Sequence, residues 1–287
     1  MSWLRAMTVI ALAASGAVAC IEGTDQDRVD RAGDDLVPPP AVRVHYGDES
    51  TALQPWIWCY LSACADGAPP PNPLEVGSPE QIFVEYPLDH WRFTANFQPA
   101  GEPCPRTFPA RLEETKPGRF VLTPAGYADE YDVHLFGQGP EGDASTTFRW
   151  TTTFDGPLPT PSANVSIIAA GAAQSDSYGV EMQVQDLGVA PDQVHARITV
   201  TAADGDSLTF SPRPDDQCRA DGELYWDGPA AKGKQATRLG PAPFTYDIDL
   251  TLDGQTYNAV ATWPDDLIPH DKPYVRLHFS PALPALN

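Results

Sequence analysis

The chain reads as all-β, two β-sandwich domains in tandem, and three observations carry that reading. From Val42 onward, apolar and polar residues alternate in short segments bounded by Gly, Pro, Asp and Asn, which is the period of strands. No stretch shows a convincing helical period, and 31 Pro, 22 Gly and 10% aromatics point the same way. The pattern breaks at residues 155–161, Asp-Gly-Pro-Leu-Pro-Thr-Pro, which separate two series of strands. With 42% hydrophobic residues, each half has the apolar content for a core.

Along the chain, Arg5 precedes an apolar run from Ala6 to Ala19 that ends in small residues before Cys20, so residues 1–19 read as an export signal. Ala6 to Ala19 is too short to span hydrocarbon as a helix, which takes roughly twenty residues. Ala17 and Ala19 fit an ordinary cleavage site, while the following Cys20 resembles the acylated cysteine of a bacterial lipoprotein; plain secretion is the alternative. Residues 20–40 hold six acids and then Pro38, Pro39 and Pro40, the composition of a disordered tether with a stiff end.

The first domain, residues 41–155, offers strands at Val42 to Tyr46, Ile82 to Tyr86, Trp91 to Phe97, Phe120 to Thr123, Tyr131 to Phe136 and Thr147 to Thr152. In the last part, Tyr131 precedes the core position Val133 by two, after Gly126-Tyr127-Ala128-Asp129-Glu130, which resembles the tyrosine corner of immunoglobulin-like domains. Residues 156–163 read as a stiff, extended linker.

The second domain, residues 164–287, has its clearest signal at Phe244 to Trp263. Asp253-Gly254 is the pair a two-residue type I′ turn requires. Closing that turn sets Phe244, Tyr246, Ile248 and Leu250 opposite Trp263, Ala261, Ala259 and Tyr257, all on one face. At Asp204-Gly205 a three-residue loop through Asp206, with a bulge, brings Val200 beside Phe210. Further strands are expected at Val165 to Ala169, Tyr178 to Val184, Glu223 to Trp226 and Tyr274 to Phe279.

Charge and cysteine count limit the function. Lys and Arg number 18 against 39 Asp and Glu, a net of −21, which excludes a polyanion-binding surface as the main function, nucleic acid included, because nucleic acid is held chiefly by cations neutralising phosphates. Loss of residues 1–19 removes Arg5 and no acid, giving −22, so membrane attachment would come from a lipid anchor rather than a basic patch. Acylation of Cys20 would leave an even set, Cys59, Cys64, Cys104 and Cys218, suited to two disulfides. The favoured arrangement joins Cys59 to Cys64, worth about 2 kcal/mol, and Cys104 to Cys218 across the two domains, worth about 5 kcal/mol. The alternative pairs Cys104 with Cys59 or Cys64.

No catalytic motif is present: no zincin helix, nucleophile elbow, phosphate loop or zinc-spaced cysteines, and no cofactor or metal is implied. His270 and His278, the close histidine pair, read as surface residues rather than ligands. The acidic pairs Asp34-Asp35, Asp215-Asp216 and Asp265-Asp266, with Asp204 and Asp206, are the oxygen ligands calcium would use, but turns favour Asp for local hydrogen bonds. Adjacent Glu113 and Glu114 point to opposite faces of a strand and make no glycosidase pair.

One pattern points to a ligand. Trp56, Trp58 and Tyr60 stand at i, i+2 and i+4, so an extended chain sets them on one face about 7 Å apart, a platform for stacking sugar rings. The other reading packs them as the private core beneath the Pro-rich excursion Ala68 to Pro73, the usual fate of Trp.

The segment Cys59-Tyr60-Leu61-Ser62-Ala63-Cys64-Ala65-Asp66-Gly67, with the leader and the Ile82 to Trp150 strands, resembles uncharacterised lipoproteins of high-GC, actinobacterial-type bacteria. The resemblance implies an envelope location and a disulfide, and it brings no catalytic residues. The expectation is a lipid-anchored, non-enzymatic envelope protein for binding or structural use, its partner an envelope protein or glycan. A carbohydrate-binding module and a secreted hydrolase with an unrecognised site are the alternatives.

Overall fold

The computed structural model describes residues 37–170, 175–215, 219–269 and 271–287. The export signal, nearly all of the tether, Cys20, Cys218, Asp34, Asp35, Asp216 and His270 therefore lie outside the described residues. Pro39–Asn287 form one compact unit. No helix among the described residues is long and apolar enough to cross a membrane.

The first sandwich takes β1 (Val42–Tyr46), β2 (Glu49–Leu53), β3 (Ile57–Tyr60), β4 (Ala63–Ala65), β5 (Leu74–Glu75), β6 (Ile82–Glu85), β7 (Arg92–Pro99), β8 (Phe108–Arg111), β9 (Glu113–Lys116), β10 (Arg119–Leu122), β11 (Glu130–Gly139) and β12 (Gly142–Thr151). The second takes β13 (Ser162–Ser166), β14 (Ala169–Ala170), β15 (Ser175–Asp176), β16 (Val180–Gln185), β17 (Val194–Thr201), β18 (Ser207–Phe210), β19 (Arg213–Pro214), β20 (Leu224–Gly228), β21 (Phe244–Leu252), β22 (Gln255–Trp263) and β23 (Val275–Arg276). One short helix, α1 (Ala230–Ala236), precedes β21.

Both halves repeat one strand order. In the first, β1-β6-β10 faces β8-β7-β11-β12; in the second, β13-β16-β20 faces β18-β17-β21-β22. Each sandwich thus pairs its first, second and fifth framework strands against the fourth, third, sixth and seventh, an immunoglobulin-like arrangement. Alternation builds each core. Phe93, Ala95 and Phe97 of β7 point inward onto Val84, Phe120 and Trp150 in the first core, while Ile198, Val200, Tyr246 and Ile248 lie in the second.

The β21–β22 hairpin closes in the expected register, Phe244 opposite Trp263 and Leu250 opposite Tyr257. Asp253 and Gly254 both have positive φ, 47° and 85°, as a type I′ turn demands. The tyrosine corner is also present: the Tyr131 hydroxyl donates to the Tyr127 carbonyl at 2.8 Å.

Three expectations are corrected. The β17–β18 loop has three residues, but they are Ala203 to Gly205, because Ala202 donates to the Asp206 carbonyl; Val200 then meets Leu208, Ile198 meets Phe210, and the ladder runs without a bulge. Tyr178 lies outside its strand and is 79% exposed, since Gly179, at φ +146°, breaks the extension before Val180. The second sandwich begins at Ser162, inside the stretch read as linker, because Ser162 already pairs with Gln185.

Candidate functional site

The aromatic platform does not form. Strand alternation starts only at Ile57, so Trp56 escapes it and turns its indole to the outer face, donating to the Thr147 hydroxyl at 3.1 Å. Trp58 points inward and is only 7% exposed within the first core, and Tyr60 is half-buried against that core. With Trp58 buried and Trp56 on the opposite face, Trp56, Trp58 and Tyr60 do not make the one-face row expected of a sugar platform, and Trp58 takes the packed position of the other reading. Trp56 instead covers a polar network in which His134 bonds Thr147 at 2.8 Å and Gln98 at 2.9 Å. Burial holds the His134 imidazole below its ordinary pKa, opposed by the nearby Asp132 carboxylate.

The disulfide expectation for Cys59 and Cys64 is met. The two stand directly opposite in the β3–β4 hairpin, on the exposed face. That hairpin lies along β12, covering what would otherwise be an open edge of the sheet. Cys104 is also disulfide-bonded, and the Cys59–Cys64 bond excludes both of those as its partner.

Of the acids in these pairs, Asp204 and Asp266 serve turns. Asp266 accepts from the Thr262 amide at 2.7 Å, and Asp204 from the Asp206 amide at 3.4 Å. Glu114 accepts from the Gly118 amide at 3.1 Å, and Glu113 and Glu114 are both exposed. Among the described residues, no group of three or more His, Cys, Asp or Glu could hold a metal ion.

Where residues from distant parts of the chain do converge is the junction of the two sandwiches. The Arg106 guanidinium, from the loop before β8, reaches into the second sandwich and donates to the Leu187 carbonyl at 2.7 Å. Leu187 is itself fully buried and donates to the Gly222 carbonyl at 3.1 Å. Gly222 sits at φ +78°, and a Cβ there would lie 2.3 Å from both the Arg106 Nη2 and the Leu187 oxygen, so glycine is required. Asp186 and Glu223 flank this point. Burial raises both carboxyl pKa values, and the Arg106 charge pulls each back.

Two further chain segments lie at the junction, the linker docked on the first sandwich and the C-terminal residues spanning both. In the linker, Gly156 donates to Gly126 at 2.7 Å, Gly126 donates to Pro157 at 3.2 Å, and Leu158 packs on the first core. Residues 283–287 pass from one sandwich to the other: Leu283 packs on the second core, Leu286 on the first, and the Tyr127 hydroxyl donates to the Asn287 carbonyl at 3.1 Å. Beside these contacts lies a groove of about 340 Å³ lined in part by Cys104, Arg106, Phe108, Tyr127 and Asp221. The sequence carried no periodic mark of this junction, although Arg106 follows Cys104 by two residues and Gly222 follows Cys218 by four, the cysteines that the inter-domain pairing singled out.

Among the described residues the junction sets no nucleophile against a base; its arginine, glycine and apolar contacts join one sandwich to the other. No family model and no curated protein sequence matches the chain. Among solved structures, a crystal structure of the chicken CNTN1 FN1–FN3 domains is similar at 15% identity over 78% of this chain and 87% of that one, with a TM-score of 0.20. The fold assignment stands on the strand order, which both halves repeat.

Proposed function

We propose that this is an exported, lipid-anchored envelope protein whose two sandwiches act as one rigid, non-catalytic spacer and binding module. The observation that carries the reading is the junction, where half-buried Arg106 of the first sandwich bonds the Leu187 carbonyl of the second and half-buried Leu286, from the end of the second, packs on the first core. Chains that need independent domain motion leave such interfaces small and polar. A rigid body on a stem is what a spacer requires.

Export and anchoring draw on the apolar run to Ala19, on Cys20 and on the Cys59–Cys64 disulfide, which belongs to an oxidising compartment. The resemblance to lipoproteins of high-GC bacteria supports the same location. Cys218 is the partner we assign to Cys104, which would add a covalent link across the junction. Intact-mass measurement on the membrane fraction tests the anchor: the reading requires a chain starting at Cys20 with added acyl mass, and a Cys20→Ser variant released into the medium. Unmodified wild-type chain in the medium would refute it. Peptide mapping without reduction tests the Cys104–Cys218 bond.

A further inference from the structure

From the outer face of the first sandwich we infer that the protein binds an extended acidic glycan along a cationic row. Four side chains stand in register across four adjacent strands: Arg43 on β1, Glu85 on β6, Arg119 on β10 and Lys116 on β9. Direct cross-strand partners share a face, and the row runs over three strand spacings, about 14 Å. A groove of about 550 Å³ follows it, walled by Pro87 and Pro117.

A cross-strand row of charges is ordinarily a ladder of alternating sign. This row alternates over Arg43, Glu85 and Arg119 and then sets Lys116 beside Arg119. Its one carboxylate, Glu85, is shared by Arg119 at 3.4 Å and His45 at 2.8 Å. Arg43 and Lys116 are exposed and make no ion pair among the described residues. The Arg119 guanidinium is held in place by lying 4.9 Å over the Phe83 ring. Three cations to one acid is an inversion in a chain with 18 basic and 39 acidic residues.

The ligand follows from the shape. The row crosses the strands and ends at Lys116 on β9, an edge strand of this sheet; a peptide pairing with that edge would run along β9, at right angles to the row, and could not lie along the charges. A chain of carboxylated sugars needs no such edge, and its ring faces can rest on the proline walls. Each exposed charge pair contributes little alone, so repeated charges along one polymer are required.

Net charge sets a distinctive salt dependence. At 0.01 M salt the screening length is about 30 Å and the polymer meets the repulsion of the whole acidic chain. Near 0.15 M it is about 8 Å, and the row dominates; at 1 M, about 3 Å, the row is itself screened. Binding is therefore greatest at intermediate salt. The excess of acid that argues against a polyanion-binding surface as the main function acts at long range, whereas the row acts at contact.

The inference rests on the envelope reading only for where such a glycan is met. Its test uses the soluble chain from residue 20 with Cys20→Ser, so a failed anchor and a failed site are separable. Binding to immobilised polygalacturonate, dextran and polyglutamate is measured at the three salt concentrations, for the parent and an Arg43→Ser, Lys116→Ser variant. The expected result is polygalacturonate binding that peaks near 0.15 M, falls at least tenfold in the variant, and is absent on dextran. No binding to polygalacturonate, equal binding by a folded variant, or stronger binding to polyglutamate would each overturn it.

Discussion

Trp58 carries the largest expected loss in the β3–β4 hairpin. It is buried among aromatic and aliphatic core residues, so Trp58→Ala should cost about 3–5 kcal/mol in urea unfolding. Trp56→Ala, which loses one indole hydrogen bond from a half-buried ring, should cost on the order of 1 kcal/mol. Equal costs would contradict the placement of the two rings on opposite sides of the sheet. The three aromatics were legible in the sequence as a row because period-2 spacing counts residues and does not mark where a strand begins. Titration offers a second check. The folded-state pKa of His134 is depressed, so its contribution is present above the unfolded value near 6.5 and is lost as pH falls through the folded one. Taking the pH from about 7 to about 5 should therefore destabilise the parent, and His134→Gln, which keeps polar partners for Thr147 and Gln98 without a charge to bury, should flatten that fall in thermal melts.

The β21–β22 hairpin shows which elements sequence resolves best. Nine residues on each strand and an obligatory Asp253-Gly254 turn leave one register that buries Tyr246 and Trp263 together. The β17–β18 loop was one residue out because three-residue loops ending in Gly205 or in Asp206 both keep the apolar side chains on one face. Strands of two to four residues such as β5, β9 and β19 carry too few alternations to stand out, and α1, at seven residues, is too short for a helical period. The β3–β4 hairpin gives the direct test of an element. Replacing Cys59 and Cys64 with Ser opens a loop of sequence separation 5 and should remove about 2 kcal/mol, read as a lower urea midpoint with an unchanged slope. A midpoint that does not move would mean that pairing with β12 alone holds the hairpin.

Taken whole, the molecule is one strand order used twice, with the two copies in contact at a joint. The strands and their grouping into two sandwiches were legible from turn spacing and alternation, because each strand's burial is a local property of its residues; their order in the sheets, set by long-range pairing, was not. Nor was the joint. Arg106, Leu187, Gly222 and Leu286 meet from positions far apart in the chain, and a long-range contact between an arginine and a backbone carbonyl leaves no period to read. Gly222→Ala should force Arg106 out and cost about 1–3 kcal/mol, because the new Cβ meets the Leu187 backbone as well as the guanidinium at a positive φ. The most direct test of the rigid body is residual dipolar coupling of the backbone amides in a weakly aligned sample of the chain from residue 20. If the joint is fixed, a single alignment tensor fits β1 to β12 and β13 to β23 together, and Gly222→Ala separates them into two. Two tensors of different magnitude in the parent would mean the sandwiches move independently, and the spacer reading would fall.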